Sequence, residues 1–75
     1  MNDVRRTEIQ RALSLIEQAK GIFEVALAQE QEDYDNMPED LRNDETGERA
    51  EDAIDALERA ATRCDDVIAA CEEAI

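Results

Sequence analysis

The chain has 75 residues, of which 21 are Asp or Glu and 8 are Lys or Arg, with no histidine and a net charge of -13 at pH 7. That balance argues against binding to phosphate backbones or anionic membranes, both of which need surplus Lys and Arg, and it favours attraction to basic partners. The length suits one small domain, and a core of that size is marginal unless a staple, a metal or a second copy supports it.

The first predicted element is a helix over about residues 3 to 35. Its apolar seam reads Ile9, Leu13, Ile16, Lys20, Phe23, Leu27, Glu30 and Tyr34, with a second row of Ala12, Ala19 and Ala26. Steps of three and four residues keep these positions on one side of a helix. Lys20 can lay its aliphatic stem along such a seam and keep its charge wet. Gly21 lies mid-helix, at a cost of about 1 kcal/mol against alanine. Leu15, Ile22 and Val25 fall off the seam, where a lone hairpin leaves them in water. They are the expected oligomer interface, and a dimer of hairpins would bury them in a four-helix bundle.

The run Tyr34-Asp35-Asn36-Met37-Pro38-Glu39-Asp40-Leu41 reads as a connector, placed over residues 36 to 44. Asn36 favours turn conformations and ends helices. Met37 is pushed toward extended backbone by Pro38, which itself suits the start of a helical turn. Leu41 is expected to fold back over Met37 or Tyr34 as a small apolar plug. Asn43 or Asp44 is the expected cap of the next helix, and Gly47 is expected to leave its first turn loose. A calcium loop beginning at Asp33 fits poorly. Met37 stands at its fifth position, Pro38 where the turn wants glycine, and Asp44 where a bidentate Glu is preferred.

The second long helix is placed over about residues 45 to 75. Ala50, Ile54, Leu57, Ala61, Cys64, Ile68, Cys71 and Ile75 form a heptad stripe, widened by Ala53, Ala60, Val67 and Ala74. The alanines suit close approach of another helix. Cys64 and Cys71 lie about 10 Å apart along one helix at 1.5 Å per residue, too far to bond to each other. As seam residues they read as small hydrophobes, and free thiols suit a reducing compartment. The expected fold is therefore all-α, an antiparallel, coiled-coil-like two-helix hairpin forming one domain over residues 1 to 75.

The connector run, followed by the acidic "AEDAIDALERA" helix, resembles a group of short acidic helical-hairpin proteins of bacteriophages and prophages. The resemblance covers about residues 30 to 60, and its distinctive part is the DN-(M/L)-PE-x-L core. It implies a phage accessory protein in the host cytoplasm and carries over no catalytic residue. The opening "MNDVRRTEIQ" lacks an apolar signal-peptide run, which agrees with a cytoplasmic location.

Catalytic constellations are not found. Without histidine, no Ser-His or Cys-His nucleophile system can be built, and no glycine-rich phosphate cradle is present. No enzyme activity, cofactor or metal is expected. What remains is charge: thirteen of the 21 carboxylates lie between Glu30 and Glu58, offset there only by Arg42 and Arg49. Glu39, Asp40, Asp44, Glu45, Glu48, Asp52 and Asp55 are the expected partner-binding surface. The expected function is a non-enzymatic accessory protein that binds a basic or nucleic-acid-handling protein of the host or phage. In its sharper form it is a DNA mimic that inhibits a host defence system. The alternative is an assembly module that oligomerises, or binds a partner helix, through its apolar face. Self-association is expected; direct contact with nucleic acid or membrane is not.

Overall fold

Helix α1 spans Asp3–Asp35, a single helical turn α2 spans Glu39–Arg42, and α3 spans Glu45–Ala74, in a computed structural model that describes residues 1–75. Each boundary has a local cause. Asn2 caps α1, its side chain accepting from the Arg5 amide at 2.8 Å, and Asp3 adds a favourable charge in the first turn. At the other end Asn36 closes α1 with φ -91° and ψ 0°, its amide donating to the Glu32 carbonyl at 3.0 Å. The helix ends there without left-handed backbone, and every φ in the chain is negative. Pro38, extended at φ -54° and ψ 144°, precedes α2, where its missing N–H costs nothing. Asp44 caps α3, its carboxylate accepting from the Thr46 amide at 2.8 Å.

Packing of α1 against α3 makes the expected hairpin, a rod of 58 × 14 × 12 Å. Ile9, Leu13, Ile16, Phe23 and Leu27 from α1 meet Ile54, Leu57, Ala61 and Ile68 from α3, and all of these are half-buried. Cys64 is the one buried hydrophobe, and it keeps 8% exposure. A pair of helices has one line of contact, so nearly every seam side chain keeps one side toward solvent. Along the widened edge of the α3 stripe Ala53 and Ala60 are half-buried, whereas Val67 and Ala74, toward the open end, stay exposed, as does the last stripe residue Ile75.

The corner is built differently from the sequence expectation. Leu41 is not the plug: it is 41% exposed. Its place is taken by Arg42, whose guanidinium folds back into the connector. One of its Nη atoms donates to the carbonyls of Asp35 and Met37, both at 3.1 Å. The guanidinium carbon also lies 5.5 Å from the Tyr34 ring centroid, within cation–π range. Carbonyls at the end of a helix carry partial negative charge and lack internal partners, so a cation satisfies them where an apolar side chain cannot. Leucine can offer none of this, and it turns outward.

Gly47 is likewise not a loose point. It is buried, and a Cβ there would sit 1.8 Å from the Arg42 carbonyl oxygen and 2.4 Å from its carbon. The first turn of α3 therefore packs directly on the α2 backbone, and only glycine permits that distance. Gly21 is the opposite case, with no atom within 4 Å of where its Cβ would be.

These two glycines should respond in opposite senses to alanine. Gly47→Ala forces backbone to move and should destabilise by about 1 to 3 kcal/mol, the usual range for overpacking. At low micromolar concentration Gly21→Ala should stabilise by up to about 1 kcal/mol through helix propensity alone. Urea unfolding followed by far-UV circular dichroism measures both.

Candidate interaction surfaces

Two polar side-chain contacts cross from α1 to α3. Lys20 reaches across the seam to Asp65, Nζ to Oδ1 at 2.6 Å, with the lysine side chain 31% exposed. Near the corner the Tyr34 hydroxyl donates to Glu51 Oε1 at 2.5 Å. Both carboxylates belong to what the heptad pattern reads as the solvent side. Sequence spacing gives no hint of them, because their partners come from the other helix. The hydrogen bond to Asp65 and its charge hold the Lys20 ammonium above its usual pKa. The hydrogen bond to Glu51, then partial desolvation, then the Glu51 charge raise the Tyr34 phenol.

The seven carboxylates expected to bind a partner are all exposed, but they are not equivalent. Asp44 is occupied as the α3 cap. Glu45 pairs with Arg49 at 2.6 Å and Asp55 with Arg59 at 3.3 Å, each one turn along the helix and in water. Such surface pairs contribute about 0.3–0.5 kcal/mol, so they yield readily to another cation. Glu39, Asp40, Glu48 and Asp52 lie within 4 Å of no basic group. Glu45, Glu48, Asp52 and Asp55 follow three- and four-residue steps, which places them in one row on the side of α3 away from the seam. Ten residues separate the ends of that row, about 15 Å at 1.5 Å per residue. Glu39 and Asp40 continue the acidity around the tip in the first turn of α2. In all, five of the 21 acidic side chains have a cation partner.

The expected oligomer residues occupy a different side. Leu15, Ile22 and Val25 are 55%, 68% and 58% exposed on α1. A shallow depression beside them is lined by Gln18, Gly21, Ile22, Val25, Ala26 and Gln29. The acidic row and this uncharged strip belong to different helices and both point away from the seam. No group of three or more Asp, Glu or Cys side chains converges in a way that could hold a metal, and no helix is long and apolar enough to cross a membrane. Both cysteines are free, Cys64 buried and Cys71 half-buried.

Comparison of the chain with protein-family models, with curated proteins and with solved structures finds no match.

The two cross-helix contacts carry a pH signature. Both groups titrate above their ordinary values of 10.5 for Lys20 and 10.0 for Tyr34, and both contacts need the protonated form. Their stabilisation is therefore complete below those values and is lost as pH rises through the raised folded ones. Thermal unfolding should show a falling midpoint above about pH 10, and the fall should be shallower in the Lys20→Met/Tyr34→Phe variant.

Proposed function

We propose that this chain is a non-catalytic binding module whose acidic α3 row and tip dock on a basic surface of a protein that handles nucleic acid. One observation carries the reading: most of the carboxylates have no cation partner and stand on the outside of a narrow rod. Acidity also keeps an apolar seam in water; the feature that favours a partner is its concentration at one end, thirteen carboxylates against two arginines between Glu30 and Glu58. Here Glu45, Glu48, Asp52 and Asp55 repeat at helical spacing on a 30-residue helix packed along α1, and charges at regular spacing give a basic groove something to match.

Linear charge density sets how far this can go. A net charge of -13 over 58 Å is about one charge every 4.5 Å, whereas duplex DNA carries about one every 1.7 Å. A single hairpin thus presents a sparser field than a duplex, and its contacts would be steered by charge and completed by local hydrogen bonds. The resemblance of the connector to phage hairpins supports a target among host proteins that bind or cut DNA, with inhibition by occupying the nucleic-acid channel. The uncharged outer side of α1 favours a second reading, assembly through an apolar helix face.

Capture of partners from a host lysate at about 0.1 M and then 0.5 M salt tests the first reading, since the higher salt shortens the screening length roughly twofold. The expected result is a basic protein that is held at low salt, released at high salt and displaced by duplex DNA. Neutralising the unpaired group in Glu39→Gln/Asp40→Asn/Glu48→Gln/Asp52→Asn should abolish capture and leave helicity intact. A partner that resists salt and is lost instead in Ile22→Glu would refute the acidic-surface reading in favour of the assembly reading.

A further inference from the structure

On the outer side of α1, residues 4, 8, 11, 15, 18, 22, 25, 29 and 32 repeat at three- and four-residue steps, the spacing of a second helix-packing seam. The α1–α3 contact does not use it. Between Arg11 and Glu32 this strip is free of charge. It holds Leu15, Gln18, Ile22, Val25 and Gln29, flanked by the small residues Ser14, Gly21 and Ala28. In a chain with 39% charged residues, such a stretch is the exception. The acidic side chains of the same segment, Glu17, Glu24 and Glu30, lie on other sides of the helix by their spacing.

The ends of the strip are of opposite sign and symmetric about its middle. Arg11 and Glu32 each lie ten to eleven residues from the Gly21–Ile22 step, about 16 Å at 1.5 Å per residue. Neither is held tightly elsewhere. Arg11 is 74% exposed, with only a 3.7 Å contact to Glu8 on its own helix, and Glu32 is exposed with no cation beside it. Open space beside Gly21 leaves a hollow next to the most exposed residue of the trio, Ile22.

We propose that a second copy of this chain covers this strip, with the two α1 helices antiparallel and crossing at Gly21–Ile22. Charge decides the direction. An antiparallel pair sets Arg11 against Glu32 of the partner subunit at both ends, whereas a parallel pair sets like against like. The same arrangement puts Ile22 of the partner subunit into the hollow at Gly21 and sends the two acidic tips to opposite ends. Both α3 rows remain outside. A dimer of nearly the same length carries twice the charge, about one every 2.2 Å, which approaches the density of a duplex. The interface does not depend on the acidic-surface reading and can hold if that reading fails. Being one helix wide, it should give a dissociation constant on the order of 1 to 100 µM.

Sedimentation of the full chain from about 1 to 200 µM should show a monomer–dimer equilibrium in that range. Ile22→Glu and Val25→Glu should each be monomeric with undiminished helicity by circular dichroism. The direction is tested with the double variant Arg11→Glu/Glu32→Arg, which keeps the net charge and should itself dimerise. Mixed with the native chain and weighed by native mass spectrometry, it should form fewer mixed dimers than the statistical half, because antiparallel mixed pairs oppose like charges. Mixed dimers above that half would show parallel pairing, and a fraction at the half would show that the Arg11–Glu32 pairs do not set the direction. Either overturns the proposed pairing. A native chain that stays monomeric at the highest concentration, or a dimer that survives Ile22→Glu, overturns the interface itself.

Discussion

Everything in this molecule depends on how the chain turns between its two long helices. The turn is fastened by backbone atoms. Arg42 donates to the Asp35 carbonyl at the end of α1 and to the Met37 carbonyl in the connector, and the Arg42 carbonyl in turn lies against the bare Cα of Gly47 in the first turn of α3. One residue therefore joins α1, α2 and α3. Because helices are stiff rods, a corner held this closely aims α3 back along α1 over its whole length. Little else in the fold could do so, since the seam is one side chain deep and Cys64 is its one buried hydrophobe.

A thin seam has consequences for specificity. Half-buried Ile, Leu and Ala side chains leave some freedom in how one helix is rotated on the other, within the offset that the corner allows. The polar contacts across the seam are less forgiving. Lys20 finds Asp65 and Tyr34 finds Glu51 only at one rotation and one offset. Exposed contacts of this kind add modest stability, and their weight lies in choosing among alignments that the apolar stripe treats alike. The corner fixes the direction of α3 and where it starts along α1, and the two bonds favour the same alignment farther along the rod.

The same economy separates the two outward surfaces. Once one side of each helix is spent on the seam, α1 and α3 each have a far side left. On α3 that side carries a row of carboxylates, and on α1 it carries an uncharged strip. The hairpin holds them on different helices, so that association through one leaves the other open. A module that self-associates through α1 and meets a basic partner through α3 would use both without conflict, and pairing would raise its charge per unit length toward that of a nucleic acid.

Much of the architecture was legible in the sequence. Three- and four-residue steps marked both helices and the sides they turn inward, since helix geometry converts spacing into direction with no knowledge of the neighbour. Asn36, Pro38 and the pair Asn43 and Asp44 marked the helix ends because caps and proline act locally, and the structure gives the cap to Asp44. The exposure of Leu15, Ile22 and Val25 followed from the same arithmetic. What only the tertiary structure decided were the contacts between residues distant in sequence: Arg42 in place of Leu41 at the corner, Gly47 as a point of backbone contact, and Asp65 and Glu51 as partners of Lys20 and Tyr34. No periodicity encodes these, because each depends on where a second helix happens to present a charge or a carbonyl. A leucine beside an arginine looks like the natural plug for an apolar gap, but the gap at a helix end is lined with carbonyl oxygens, and those select a donor.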